Sequence, residues 1–106
     1  LISILEKHFI YLWRTIDGPD LIMEHAFTTS RKWRFDFADV PLRIAIEIEG
    51  GADKSRHRQL AGFTADCHKY NTALYLGWRV FRLAGSMITE QNLVPLRDYM
   101  LAEQKQ

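Results

Sequence analysis

Residues 1–16 place apolar side chains at Ile2, Leu5, Phe9, Leu12, Trp13 and Ile16, spaced by three and four, with Glu6, Lys7 and Arg14 off that stripe. That spacing predicts an amphipathic helix, ended by Asp17-Gly18-Pro19-Asp20. Residues 24–28 suggest a short strand, followed by a Thr-Thr-Ser turn. The pattern then changes to period two. In residues 33–37, Trp33, Phe35 and Phe37 share one predicted face, and Arg34, Asp36 and Ala38 share the other. In residues 44–49, Ile44, Ile46 and Ile48 lie on one face, and Ala45, Glu47 and Glu49 on its opposite.

The short connection containing Pro41 leaves no room for a crossover helix, so these two strands are expected to pair antiparallel. With residues 40–43 as the turn, Asp36 falls opposite Glu47. Like charges directly opposite each other destabilise a strand pair. A divalent cation would remove that penalty and takes carboxylate oxygens as ligands. Replacing either acid by its amide is then expected to leave the fold intact or firmer.

Gly50-Gly51 breaks the strand, and residues 50–57 read as a polar loop. A second helix is predicted over residues 58–76. Leu60, Phe63, Cys67, Tyr70 and Leu74 form its expected buried stripe, and Gly62, Asp66, Lys69 and Ala73 a neighbouring one. Gly77 suits the helix C-terminus. A strand over residues 78–83 alternates Trp78, Val80 and Arg82 against Arg79, Phe81 and Leu83. A last helix is predicted over residues 89–103, with Pro95 implying a start near Asn92 or a kink. The order α-β-β-β-α-β-α describes an α/β fold with a mixed central sheet.

The 106 residues suit one domain, 1–106, with 47% hydrophobic and 25% charged side chains. A net charge of +1 does not announce a nucleic-acid partner, but its distribution is uneven. Arg31, Lys32 and Arg34 precede Asp36, and Lys54, Arg56, His57 and Arg58 follow Glu49. Acids between basic clusters suit phosphate held next to metal. Cys67 is the one cysteine, so there is no internal disulfide or zinc cluster, and a reducing compartment is expected. No apolar run approaches the roughly 18 residues of a membrane span, and no signal peptide is visible. A start at Leu1 rather than Met suggests a trimmed or incomplete N-terminus. Trp13, Trp33 and Trp78 each sit in an apolar pattern and read as core rather than as stacking platforms. His8, His25 and His68 share no metal-ligand spacing.

Phe35-Asp36-Phe37 followed by Glu47-Ile48-Glu49 resembles the motif of the PD-(D/E)XK nuclease superfamily. The ordered blocks are more specific. Residues 33–38 (W-R-F-D-F-A), 47–51 (E-I-E-G-G), His57, residues 66–71 (D-C-H-K-Y-N) and 77–82 (G-W-R-V-F-R) are similar to small phage and bacterial endonucleases. These include the very-short-patch-repair, VRR-NUC and Holliday-junction-resolving groups. The resemblance implies an αβββαβ core, here followed by a C-terminal helix. It implies a nuclease in which Asp36, Glu47, the Ile48 carbonyl and Glu49 hold Mg²⁺, with Mn²⁺ as substitute. Glu49 stands where the superfamily usually has Lys, and Lys69 would supply a relocated catalytic cation. Glu24 and His57 are accessory candidates. Arg31, Lys32, Arg34, Lys54, Arg56, Arg58 and Arg82 are candidate phosphate contacts. The implied partner is DNA, with a homodimer for two-strand cutting and no membrane. The implied setting is the cytoplasm of a bacterial or phage-infected cell. A non-catalytic DNA-binding or assembly module of the same fold is a second reading, and an RNA nuclease a third.

Overall fold

The elements follow the expected order: α1 (Ile4–Thr15), β1 (Ile22–Ala26), β2 (Arg34–Asp39), β3 (Ile44–Glu49), α2 (Arg56–Tyr75), β4 (Arg79–Ala84), a 3₁₀ turn (Gly85–Met87) and α3 (Glu90–Gln104). The computed structural model of the chain describes residues 2–50 and 56–106, with the side chains of residues 56–59 outside that description. The strands lie in chain order in one mixed sheet. β1–β2 and β2–β3 are antiparallel, and β3–β4 is parallel. The residue pairing of β3 with β4 sets Glu47 beside Arg82.

Local chemistry sets both ends of α1. Ser3 Oγ accepts from the Glu6 N–H at 3.1 Å, and the Ser3 N–H donates to Glu6 Oε1 at 3.3 Å, a capping box. At the other end the Gly18 N–H donates to the Trp13 carbonyl at 2.8 Å. A Cβ at Gly18 would lie 2.2 Å from the Trp13 ring, so only glycine fits there.

One face of the sheet carries the main core. Phe9, Trp13 and Ile16 meet Phe37, Ile44 and Ile46, with Leu93, Leu96 and Met100 of α3 completing the layer. Each such burial contributes about 1.5–3 kcal/mol before entropy. α3 begins at Glu90 and carries Pro95 within it. Thr89 caps it, accepting from the Asn92 N–H. The expected late start at Asn92 does not occur. Proline forgoes one backbone bond, and the buried Leu93 and Leu96 on either side hold the helix together.

Two expectations are corrected. Phe35 and Phe37 do not share a face. Phe37 packs on Phe9 with ring centroids 4.7 Å apart, whereas Phe35 packs on Trp78 at 4.9 Å in a second cluster across the sheet. The change occurs between the pairs Met23↔Phe37 and His25↔Phe35. Glu24, which lies between them on β1, has a left-handed φ of 53°. That conformation breaks the two-residue alternation of β1 beside the point where β2 changes face.

The predicted apolar stripe of α2 is the wrong side of the helix. Leu60, Phe63 and Leu74 are 64%, 68% and 70% exposed, and Cys67 is exposed too. Of that stripe Tyr70 alone turns inward, joined by Lys69 and Ala73 of the neighbouring stripe. The sheet face below α2 presents Glu47, Glu49 and Arg82. An apolar stripe laid on it would strand carboxylates without partners, which costs several kcal/mol per charge.

Candidate active site

Asp36 and Glu47 face each other. The pairing Phe37↔Ile46, Ala38↔Ala45 and Asp39↔Ile44 leads directly to that position. There the backbone ladder gives way to side chains. The Asp36 N–H donates to Glu47 Oε2 at 2.8 Å, and the Ile48 N–H donates to Asp36 Oδ2 at 2.7 Å. Each carboxylate takes the place of the opposite strand's carbonyl, so both are pinned in orientation.

On one side, Glu47 has its own cation. Oε1 accepts from Lys69 Nζ at 2.5 Å and from the Tyr70 hydroxyl at 3.0 Å. The pair is shielded, with side-chain exposures of 16% for Lys69 and 7% for Glu47. Burial, reinforced by the Glu47 charge, raises the Tyr70 hydroxyl above its ordinary pKa, so it stays a donor. Lys69 Nζ also lies 5.9 Å from the Phe35 ring. Further out, Arg82 Nε donates to Glu49 Oε1 at 2.5 Å, and Arg82 Nη2 lies 3.7 Å from Asp66. Its guanidinium sits 4.4 Å from the Tyr70 ring centroid.

On the other side, Asp36 meets more acid. Ligand atoms of Glu6, Glu24 and Asp36 all lie within 4.8 Å of one another. Among the described residues, no lysine or arginine is ion-paired to any of the three. Burial first, then the Glu47 and Glu6 charges, push Asp36 up to about 7, against the pull of the Ile48 N–H. Glu24 reaches the cluster from a left-handed backbone position, which costs about 1–2 kcal/mol for a residue with a Cβ. Strain of this kind gathers at functional positions. Three carboxylates that supply hard oxygen donors form a set that fits Mg²⁺ or Mn²⁺.

The sequence candidates therefore divide. Asp36 and Glu24 come together. Glu47 and Lys69 form a buried ion pair beside them. Glu49 pairs with Arg82, and Ile48 contributes its N–H to Asp36. Arg31, Lys32 and Arg34 are exposed around the tip of the β1–β2 hairpin, and Arg34 Nη1 donates to the Glu24 carbonyl at 3.3 Å. Lys54 and the side chains of Arg56, His57 and Arg58 lie outside the described residues. Sequence reasoning missed two residues. Glu6 stood off the apolar stripe of a helix, and nothing in its spacing set it beside Asp36. Tyr70 was read as core, and nothing in the pattern announced its hydroxyl as a partner for Glu47.

No protein-family model and no curated protein matches the chain. Among solved structures, the catalytic domain of the homing endonuclease I-Bth0305I matches with a TM-score of 0.63 at 14% sequence identity, over 95% of this chain and 93% of that one. The likeness establishes an endonuclease-like α/β fold with a mixed four-stranded sheet. No described helix is long and apolar enough to cross a membrane.

Proposed function

We propose that this chain is a metal-dependent nuclease that hydrolyses DNA phosphodiester bonds. The observation that carries the reading is the Glu6–Glu24–Asp36 cluster, an acid site to which no lysine or arginine among the described residues is ion-paired, set at the parting of two strands. The fold likeness to a homing endonuclease catalytic domain supports it. Asp36 would be the central ligand of Mg²⁺ or Mn²⁺, with Glu24, Glu6 and the Ile48 carbonyl around it. Such an ion, when bound, supplies charge to a phosphoryl oxygen and lowers the pKa of a coordinated water. Glu47 fixes Lys69 next to Asp36, where an ammonium neutralised on one side can offer its remaining donors to a phosphate. Glu49, held by Arg82, would orient the attacking water. Arg31, Lys32 and Arg34 would hold the backbone of the strand. Cutting both strands of a duplex would call for a homodimer. The setting we propose is the cytoplasm of a bacterial or phage-infected cell.

A second reading has its own observation. The Glu47 oxygens already accept from Lys69, Tyr70 and the Asp36 N–H, as expected of a structural carboxylate in a non-catalytic DNA-binding or assembly module. A cleavage assay separates the two. Linear, supercoiled, single-stranded and four-way-junction DNA, and one RNA, are incubated with Mg²⁺, Mn²⁺ or EDTA, beside Asp36→Asn. The nuclease reading expects metal-dependent cutting that falls at least about 100-fold in the variant. Binding without cutting under every metal condition supports the module instead. Cutting confined to RNA moves the substrate class.

A further inference from the structure

We infer that the tip of the β1–β2 hairpin is a stacking platform for an unpaired base of a DNA strand, with Trp33 as its outer face. The inference rests on the DNA-directed reading above and adds which form of DNA the chain prefers.

The rings form a column. Phe35 and Phe27 stack with centroids 4.0 Å apart and planes 6° apart, and Trp33 continues on Phe27 at 6.3 Å and 15°. The inner end is anchored, because Phe35 is fully buried against Trp78. At the outer end no further ring among the described residues stacks on Trp33. Trp33 is half-buried, whereas Trp13 and Trp78 are each only 5% exposed. The Arg31 guanidinium already lies 5.2 Å from the Trp33 ring centroid, the position a second flat, polarisable group would take.

The charge around the column suits the same ligand. Residues 27–34 contain Arg31, Lys32 and Arg34 and no acid. All three cations are exposed, and among the described residues none of them is in an ion pair. A half-open indole on a rigid aromatic base, ringed by cations, is the arrangement with which proteins hold single strands, because every base has a π-face and every linkage a phosphate. A paired base inside a duplex has both its faces covered by neighbouring bases, so Trp33 discriminates in favour of unpaired ones.

The platform is coupled to the acid cluster. Trp33 lies three residues from Asp36 along the hairpin, about 10 Å at strand rise. Arg34, between them, donates to the Glu24 carbonyl. A base seated on Trp33 therefore leads its own backbone toward Asp36.

The test is binding in EDTA, where no cutting interferes. A labelled single-stranded oligonucleotide and the same sequence as a blunt duplex are titrated by anisotropy against wild type, Trp33→Phe and Trp33→Ala. Single-strand affinity should fall about tenfold or more in Trp33→Ala, with Trp33→Phe recovering most of it and duplex affinity changing less than about twofold. Wild-type tryptophan emission should be quenched by the single strand, and Trp33→Phe should abolish that quenching. Unchanged single-strand affinity in Trp33→Ala overturns the platform, as does an equal loss on both DNAs. The two readings fail separately. Trp33-dependent single-strand binding without metal-dependent cutting retains the platform and removes the nuclease. Cutting by a chain whose strand preference ignores Trp33 does the reverse.

Discussion

Asp36 and Glu47 are the same kind of group at facing positions on neighbouring strands, and each accepts a strand N–H. Their surroundings are opposite. Glu47 looks toward α2 and finds Lys69 and Tyr70. Asp36 looks toward α1 and β1 and finds Glu6 and Glu24. One carboxylate is neutralised from within the chain, and in the other burial and the Glu47 and Glu6 charges outweigh the Ile48 N–H and disfavour the charged form. The difference fits the separate roles proposed for the two acids. A satisfied acid holds the architecture, and an acid crowded by acids is where a cation from solvent gains most.

The largest test of this contrast is Lys69→Met. It leaves Glu47 shielded and uncompensated, so unfolding free energy should drop by about 2–4 kcal/mol in denaturant titration. Combining it with Glu47→Gln should recover more than half of that loss. Glu47→Gln alone should also destabilise, because Lys69 then becomes the orphan. That reverses the expectation from sequence, where relief of repulsion was the whole story. Equal stabilities across this set would mean the pair is too hydrated to matter.

Asp36→Asn should act in the opposite direction. The carboxyl is raised from 3.8 to about 7 in the folded chain. Between those values the folded state holds a proton that the unfolded state has released. Stability is therefore fully present below about pH 4 and declines as pH rises through 7. The expected decline is about 1–2 kcal/mol, well under the full shift because the group is half open to water. Asp36→Asn, which keeps an acceptor for the Ile48 N–H, should be flat over that range and more stable than wild type at pH 8. Millimolar Mg²⁺ should flatten the wild-type profile too. A wild-type profile that ignores both pH and Mg²⁺ would break the contrast.

Two smaller effects sharpen it. Tyr70→Phe removes one hydrogen bond to a charged acceptor and should cost about 1–1.5 kcal/mol in chemical denaturation. Glu24→Gly should raise thermal stability slightly, by less than about 1 kcal/mol, because glycine accepts the left-handed φ at no steric cost. The same change should weaken Mn²⁺ binding measured by calorimetry. A loss of stability with unchanged Mn²⁺ affinity would remove Glu24 from the site.

Much of the fold was legible because it depends on near neighbours in the chain. The period-two run in residues 44–49 became β3 without a shift, and the four-residue turn set Asp36 against Glu47 as expected. Gly77 ends α2 at a φ of 85°, as its position after the helix suggested. The misreadings fall where a residue's neighbour is distant. Counting apolar residues gave α2 the wrong inner face, because the choice depended on charges carried by β3 and β4. Alternation put Phe35 with Phe37, because nothing in the β2 pattern reveals that its alternation breaks opposite Glu24, the left-handed position of the adjoining strand.

The chain by itself therefore determined its element order, the facing acids and the basic hairpin tip, since periodicity, turn length and composition are short-range properties. Tertiary structure alone decided that Glu6 joins Asp36 from another helix and that Lys69 spends its charge on Glu47. It also decided that Trp33, unlike Trp13 and Trp78, is left half open. Electrostatic partnership and burial depend on distance in space, and strands and helices far apart in the chain set those distances only when they pack.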